Sequence, residues 1–250
     1  MICDTSSHTL RAVSVALLAS LGVVASARGE VTHRLSVSTG VGLTADADLD
    51  IRQPERGTSL VFRDVAFDDK SLALVSAPYM AVRWTRWTDA RPRLAVSLEF
   101  LHFKIFAETG RTYDVEGSLR GIRVADRFPM NSVVQQYDVS NGVNMILVNA
   151  AYRRDDLMGG RLEVYVGSGL GPTVPYTKAT IEGIGGDGHY EMGRIGGQVF
   201  GGALWPVSGR WDLFVEGKWT RTTVDGSVPG GTSAADLSTR HLTVGVGYRF

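Results

Sequence analysis

Leu242-Thr-Val-Gly-Val-Gly-Tyr-Arg-Phe250 alternates without a break: Leu242, Val244, Val246, Tyr248 and Phe250 form one stripe, and Thr243, Gly245, Gly247 and Arg249 the other. Strict period two marks a strand, because successive side chains leave opposite faces of the pleat. The same pattern returns earlier in the chain. Trp211, Leu213, Val215 and Trp219 alternate with Asp212, Phe214, Glu216 and Lys218, and Leu94, Val96, Leu98 and Phe100 alternate with Ala95, Ser97 and Glu99. Eight such segments are read, over residues 34–46, 71–87, 92–106, 138–153, 161–178, 190–205, 210–224 and 237–250. Each is long enough to cross a bilayer at a tilt, for which ~9–11 residues suffice.

The connections alternate too. Thr88-Asp89-Ala90-Arg91, Arg154 to Gly160 and Pro206 to Gly209 are short, whereas those around 47–70, 107–137, 179–189 and 225–236 are longer or richer in Gly, Asp and Arg. Short turns on one side and long loops on the other predict an all-β fold, an eight-stranded antiparallel up-and-down transmembrane β-barrel with periplasmic turns and outward loops. A soluble sandwich would hide the apolar stripe against a second sheet. Aromatic placement decides between the two: Trp84, Trp87, Tyr152, Trp205, Trp211 and Tyr248 all lie beside the short turns or the C-terminus, as an interfacial girdle requires.

The rest of the chain agrees. Arg11 precedes an apolar run from Ala12 to Val24 and the small-x-small pattern Ala25-Ser26-Ala27, so residues 1–27 read as a cleavable signal peptide and 28–250 as the barrel. The run is shorter than the ~20 residues of a spanning helix, which makes a retained anchor the weaker reading. The single cysteine, Cys3, lies in the segment to be removed, so no disulfide is expected. Thirty glycines favour strands and tight turns, and 26 acidic against 26 basic residues give no electrostatic case for a nucleic-acid partner. Export to a bacterial outer membrane, as a monomer, is the expectation.

An eight-stranded ring has an interior just wide enough for side chains to fill. Arg83, Glu99, Glu163, Glu216 and Lys218 fall on inward parity, where charges persist only if paired. They read as a salt-bridged plug, with a proton path or catalytic carboxylate pair as the sharper alternative; a channel conflicts with a filled lumen. Gly167-Ser-Gly169-Leu-Gly171 is better explained by small residues on an inner face than by a dinucleotide fingerprint. No His/Asp/Glu spacing matches a zinc site, so no metal site is assigned.

Polar residues break the alternation toward the outer rim: His102 and Lys104 continue the lipid-facing parity of Phe100, with Tyr137, Asp138, Asn141 and Asn144, then Tyr176 and Lys178, then Tyr190 and Glu191 nearby. Cationic side chains at that height would meet the phosphorylated sugars of lipopolysaccharide. His102 is the candidate acid or base, with Glu99 as a second catalytic candidate; Lys104, Asn141, Asn144, Tyr176 and Lys178 are the candidate substrate-binding residues.

Two resemblances follow. The ending Val244-Gly-Val-Gly-Tyr-Arg-Phe250 resembles the last strand of outer-membrane barrels, which implies that Tyr248 and Phe250 are read by the outer-membrane assembly machinery. Pro78-Tyr-Met-Ala-Val-Arg83-Trp84, Glu99-Phe-Leu-His102-Phe-Lys104-Ile-Phe106, Asp138-Val-Ser-Asn-Gly142-Val-Asn144 to Asn149, Tyr165-Val-Gly-Ser-Gly-Leu-Gly171-Pro172 to Pro175 and Glu216-Gly-Lys218 resemble the outer-membrane lipid A oxidase family. That resemblance implies an oxygen-dependent conversion of the proximal glucosamine of lipid A to an aminogluconate unit, with hydrogen peroxide released. Molecular oxygen is then the co-reactant. Neither a flavin site nor a facial triad of metal ligands is visible, which leaves the cofactor open, a loosely held metal included. The alternative is a non-enzymatic barrel with a structural, lipopolysaccharide-binding or adhesive role.

Overall fold

Period-two segments pair with one another throughout the computed structural model of the chain, which describes residues 31–68, 79–88 and 91–250. The expected signal peptide, the stretch 71–78 and the tip of the turn after Thr88 lie outside the described residues. The strands are β1 (Val31–Thr44), β2 (Ala47–Gln53), β3 (Thr58–Val65), β4 (Phe67–Asp68), β5 (Met80–Thr88), β6 (Arg91–Ala107), β7 (Thr112–Leu119) and β8 (Ile122–Pro129). After them come β9 (Val134–Leu157), β10 (Leu162–Ile181), the two-residue β11 (Ile184–Gly185) and β12 (His189–Tyr190), β13 (Ile195–Ser208), β14 (Trp211–Val228) and β15 (Gly231–Arg249).

Pairing runs β1-β5-β6-β9-β10-β13-β14-β15, and β15 returns to β1 with Arg34 opposite Arg249 and Thr44 opposite Thr239. The path therefore closes on itself, and no strand in it is left with a free edge along its paired length. From β15 the sheet also continues outward through β2, β3, β7 and β8.

The all-β antiparallel expectation holds, but a count of eight does not describe the sheet, which has fifteen strands among the described residues. The expected long loops account for the difference. Stretches 47–70 and 107–137 hold β2, β3, β4, β7 and β8, and the expected loop 225–236 is a two-residue turn, Pro229-Gly230, between two long strands. The sixth expected segment, 190–205, begins instead at Ile195.

Two zones of opposite polarity follow one another along the ring strands. On β6, Ala95, Ser97 and Glu99 are buried inward while Leu94, Val96 and Phe100 are exposed. Beyond Phe100 the roles exchange: Leu101, Phe103 and Ile105 become the buried set, and His102 and Lys104 take the outer face. On β14, Glu216, Lys218 and Thr220 lie inside and Leu213, Val215 and Trp219 outside, giving way to Val224 and Val228 inside and Arg221 outside. β15 repeats this in reverse order, with Leu242, Val244 and Val246 outside beside Thr243 and His241, then Arg240 and Asp236 outside beside Leu237 and Ala235. Neighbouring strands exchange together, since Trp219 lies opposite Arg240 and Phe100 opposite Ile146.

Above the exchange Leu101, Phe103, Ile105, Met145, Tyr137 and Leu237 join Leu49, Ile51, Leu60, Phe62 and Val115 of β2, β3 and β7 in one apolar core. Tyr113 seals its margin: its hydroxyl donates to the Glu108 carbonyl, and burial pushes that hydroxyl above its ordinary value. Between the zones lies His241, packed on Tyr79 and Phe103 with ring centroids at 5.2 and 5.0 Å and bonded to Thr220 at 2.9 Å.

Candidate functional site

The lumen charges form a connected network. Arg83 donates to Glu99 (3.0 Å) and, through both terminal nitrogens, to Glu216 (2.6 and 2.8 Å). Lys218 bridges Glu99 and Glu216. Gln198 and Asn149 donate at 2.6 and 3.1 Å to Glu99 Oε2, the oxygen that also accepts from Arg83, and Phe200 packs beneath the Arg83 guanidinium at 4.3 Å. Glu163 belongs to a second cluster, bonded to Arg153 and Arg249, beside an Arg34–Asp212 pair at 2.5 Å. The cavity beside Arg83, Glu163 and Tyr165 has a volume of about 20 Å³, room for about one water.

A Cβ on Gly169 would collide with the Asn149 side chain and one on Gly167 with the Phe200 ring, so these glycines make space for inward side chains of the neighbouring strands. Trp87, expected in the outward girdle, is instead buried inside, under Arg153 at 4.7 Å. Tyr152, Trp205 and Trp211 are exposed on the outer face as the girdle requires. Phe250 stacks on His33 at 5.6 Å and on Tyr248 at 6.4 Å, Trp211 lies against Tyr248 at 5.0 Å, and His33 stacks on Trp84 at 5.5 Å. Tyr248 and Phe250 thus belong to an aromatic row along the β1–β15 seam.

The two candidate catalytic residues do not meet. Glu99 and His102 lie three residues apart on one strand, so they leave opposite faces, and Glu99 is committed to the lumen network. His102 lies on the outer wall across from Asn144 of β9, with His102 Nδ1 at 2.8 Å from Asn144 Oδ1. Asn144 also has outward parity yet is only 8 % exposed. Its amide nitrogen donates to the carbonyls of Val174 (2.9 Å), Gly142 (3.1 Å) and, at the limit, Asn141 (3.4 Å).

The remaining candidates line the outer face of the same strands at greater height. Tyr176 of β10 packs edge-on against Tyr190 at 5.0 Å, and Lys178 is exposed opposite Asp138. Lys104 is half-buried on the outer face of β6, and Asn141 is exposed, contributing a backbone carbonyl. His102, Asn144, Tyr176 and Lys178 therefore share one wall of three adjoining strands. One residue outside the candidate set completes the arrangement: Gly142, at φ +100°, occupies a β-bulge opposite Phe103–Ile105, and a Cβ there would overlap the His102 ring. An isolated glycine in a strand is the sequence signal for such a bulge.

Elsewhere, a cleft of about 670 Å³ outside the apolar core is lined by Asp46, Asp48, Asp50, Asp225 and Asp236 with Arg52 and Arg194. Among the described residues no group of three His, Cys, Asp or Glu side chains is placed to hold a metal ion.

No protein-family model matches the chain, and no curated protein sequence matches it. Solved structures do. The outer membrane protein OprG from Pseudomonas aeruginosa is 14 % identical, with 89 % of this chain and 96 % of that one covered at a TM-score of 0.47. The outer membrane protein AlkL, determined in lipid bilayers, is 12 % identical over 91 % of this chain and 94 % of that one, with a TM-score of 0.46. Neisserial surface protein A is 11 % identical over 88 % and 97 %, with a TM-score of 0.43.

Proposed function

We propose that the closed path of eight strands is a transmembrane β-barrel of a bacterial outer membrane, reached by signal-peptide export and built from residues 28–250. The observation that carries this reading is the exchange of polarity along the wall. An apolar exterior around buried, paired charges suits a lipid surround, and a charged exterior around an apolar core suits water. The band from Trp211 to Trp219 spans roughly 26 Å along β14 at ~3.3 Å per residue, about 20 Å upright at a ~40° tilt, against the ~25 Å of such bands. With the lumen filled, the barrel is a closed scaffold and not a diffusion pore. Tyr248 and Phe250 serve as its assembly signal.

The test is collisional quenching by brominated lipids in vesicles, using variants that keep only Trp211 or only Trp219. Both indoles are expected at interfacial depth in opposite leaflets; equal accessibility of both to aqueous iodide would sink the reading.

A second reading is favoured by the His102–Asn144 pair, an acid–base group on the outer wall where hydrocarbon-facing residues end. In this reading the face acts on lipid A of the outer leaflet, oxidising its proximal glucosamine with molecular oxygen as the oxidant. His102 takes the proton of the reacting sugar hydroxyl, and Lys178 and Lys104 face phosphate. Mass spectrometry of lipid A from cells with and without the gene separates the cases. Added oxygen on the proximal sugar supports the enzyme; unchanged lipid A with folded protein at the surface leaves a non-enzymatic barrel.

A further inference from the structure

Asn144 is more constrained than a residue that orients a substrate. Its side chain is nine-tenths buried, and its amide nitrogen faces the carbonyl oxygens of Val174, Gly142 and Asn141. Turning the amide over would bring Oδ1 against those oxygens, acceptor on acceptor. The orientation is therefore set by the backbone of β9 and β10, and Oδ1 must face His102. An amide oxygen only accepts, so the nitrogen 2.8 Å away, His102 Nδ1, must carry the proton.

A neutral imidazole has one N–H. With Nδ1 protonated, Nε2 holds the lone pair, and among the described residues Nε2 has no hydrogen-bond partner. The bulge fixes the ring as firmly as the amide fixes the proton. Gly142 sits at φ +100°, and the Nδ1–Cε1–Nε2 edge of the imidazole occupies the volume that a Cβ at this position would need.

We propose that Asn144 is a positioning residue that holds His102 as its Nδ1–H tautomer over Gly142, making Nε2 a proton acceptor on the outer wall for a hydroxyl-bearing headgroup. The choice of headgroup rests on the lipid A reading; the tautomer does not. With its amide engaged by His102 and by three backbone carbonyls, Asn144 takes a positioning role in this proposal in place of the expected binding one. The logic is that of any oriented imidazole: the group bonded to one nitrogen determines what the other can do.

The experiment is long-range proton–nitrogen correlation NMR of 15N-histidine-labelled full-length protein in lipid nanodiscs, at a pH where the ring is neutral, with His102 assigned by loss of its signals in His102→Gln. In the unsubstituted protein Nδ1 is expected to be of the pyrrole type and Nε2 of the pyridine type. Asn144→Leu, near-isosteric but with no acceptor, should turn the population mainly to Nε2–H, and Gly142→Ala should disturb it by displacing the ring. Asn141→Ala, which alters only an exposed side chain, should leave it unchanged. Mainly Nε2–H in the unsubstituted protein overturns the proposal, as does an unaltered tautomer in folded Asn144→Leu. If Asn144→Leu does not fold, the unsubstituted spectrum still decides. Because the signal comes from the protein alone, the lipid A reading can fail while this result stands.

Discussion

Two regions of the same strands solve burial in opposite ways. Below Phe100 and Trp219 the ring encloses Arg83, Glu99, Glu216 and Lys218 and shows valine, leucine and tryptophan outside; above, it encloses Phe103, Ile105 and Tyr137 and shows arginine and aspartate. Apolar area removed from water drives the upper region in the ordinary way, at ~25 cal/mol per Å². The lower region hides fewer apolar groups inside, among them Trp87, Phe200, Leu204 and Phe214, and its interior also coheres through complementary charge: each carboxylate oxygen of Glu99 and Glu216 has a cationic or amide donor. Which face of a strand is apolar is thus a property of the medium on each side and not of the strand.

That contrast can be broken in four places. The largest loss is expected for Glu99→Ala, which leaves Lys218 and Arg83 to share Glu216 alone inside the wall; removing one partner of a buried pair costs about 3–5 kcal/mol, to be read from urea unfolding in lipid vesicles. An unchanged midpoint would show that the lumen network is not what holds the lower region together. Next, Leu101→Ala, one step along the same strand face, should cost about 2–5 kcal/mol through its cavity. If its effect were negligible, the upper core would be less tightly packed than its burial implies. Val244→Arg puts a charge in the middle of the apolar exterior and should cost about 2–4 kcal/mol, against near zero for the same change at Ser238 beyond the exchange. Equal costs would mean that no lipid band ends between them. The smallest effect belongs to Arg194→Ala, whose exposed pair with Asp225 at 3.0 Å should contribute less than about 1 kcal/mol; a larger loss would mark the surface of the upper region as structural.

How much of this was legible follows from the same inversion. In the lower zone one parity stays apolar over long runs, as in Leu242 to Phe250 and Trp211 to Trp219, so the strands, their faces and the inward Glu99, Glu216 and Lys218 could be read directly. Past the exchange the apolar parity flips. Thr222, Val224 and Val228 continue the inward face of β14 while Thr223, Asp225 and Ser227 turn outward, and this reads as a polar loop to anyone following the outer stripe. Leu49, Ile51 and Gln53 against Asp48, Asp50 and Arg52 were lost in the same way. At the site, the outward parity of His102 was visible, but its partnership was not. Asn144 is paired through strand register and through a bulge that the lone Gly142 signals without giving its geometry, and Val174 contributes a backbone carbonyl, which no side-chain pattern reports. Trp87 misled because an aromatic beside a turn serves a girdle or an Arg153 stack equally well.

The seam between β1 and β15 has a consequence for time. Its partners lie roughly two hundred residues apart, whereas β14 and β15 are joined by Pro229-Gly230 alone. Chain entropy scales as (3/2)RT ln n, so bringing the seam together before the intervening hairpins form is dearer than making that turn by on the order of 4 kcal/mol. Hairpins zip first, each shortening the gap left to span, and the seam shuts last. Until it does, the growing sheet carries two bare edges, eleven residues each along the future seam, able to template pairing with any other open strand. Closure therefore acts as the molecule's own termination step: the moment Arg34 meets Arg249, both edges vanish together.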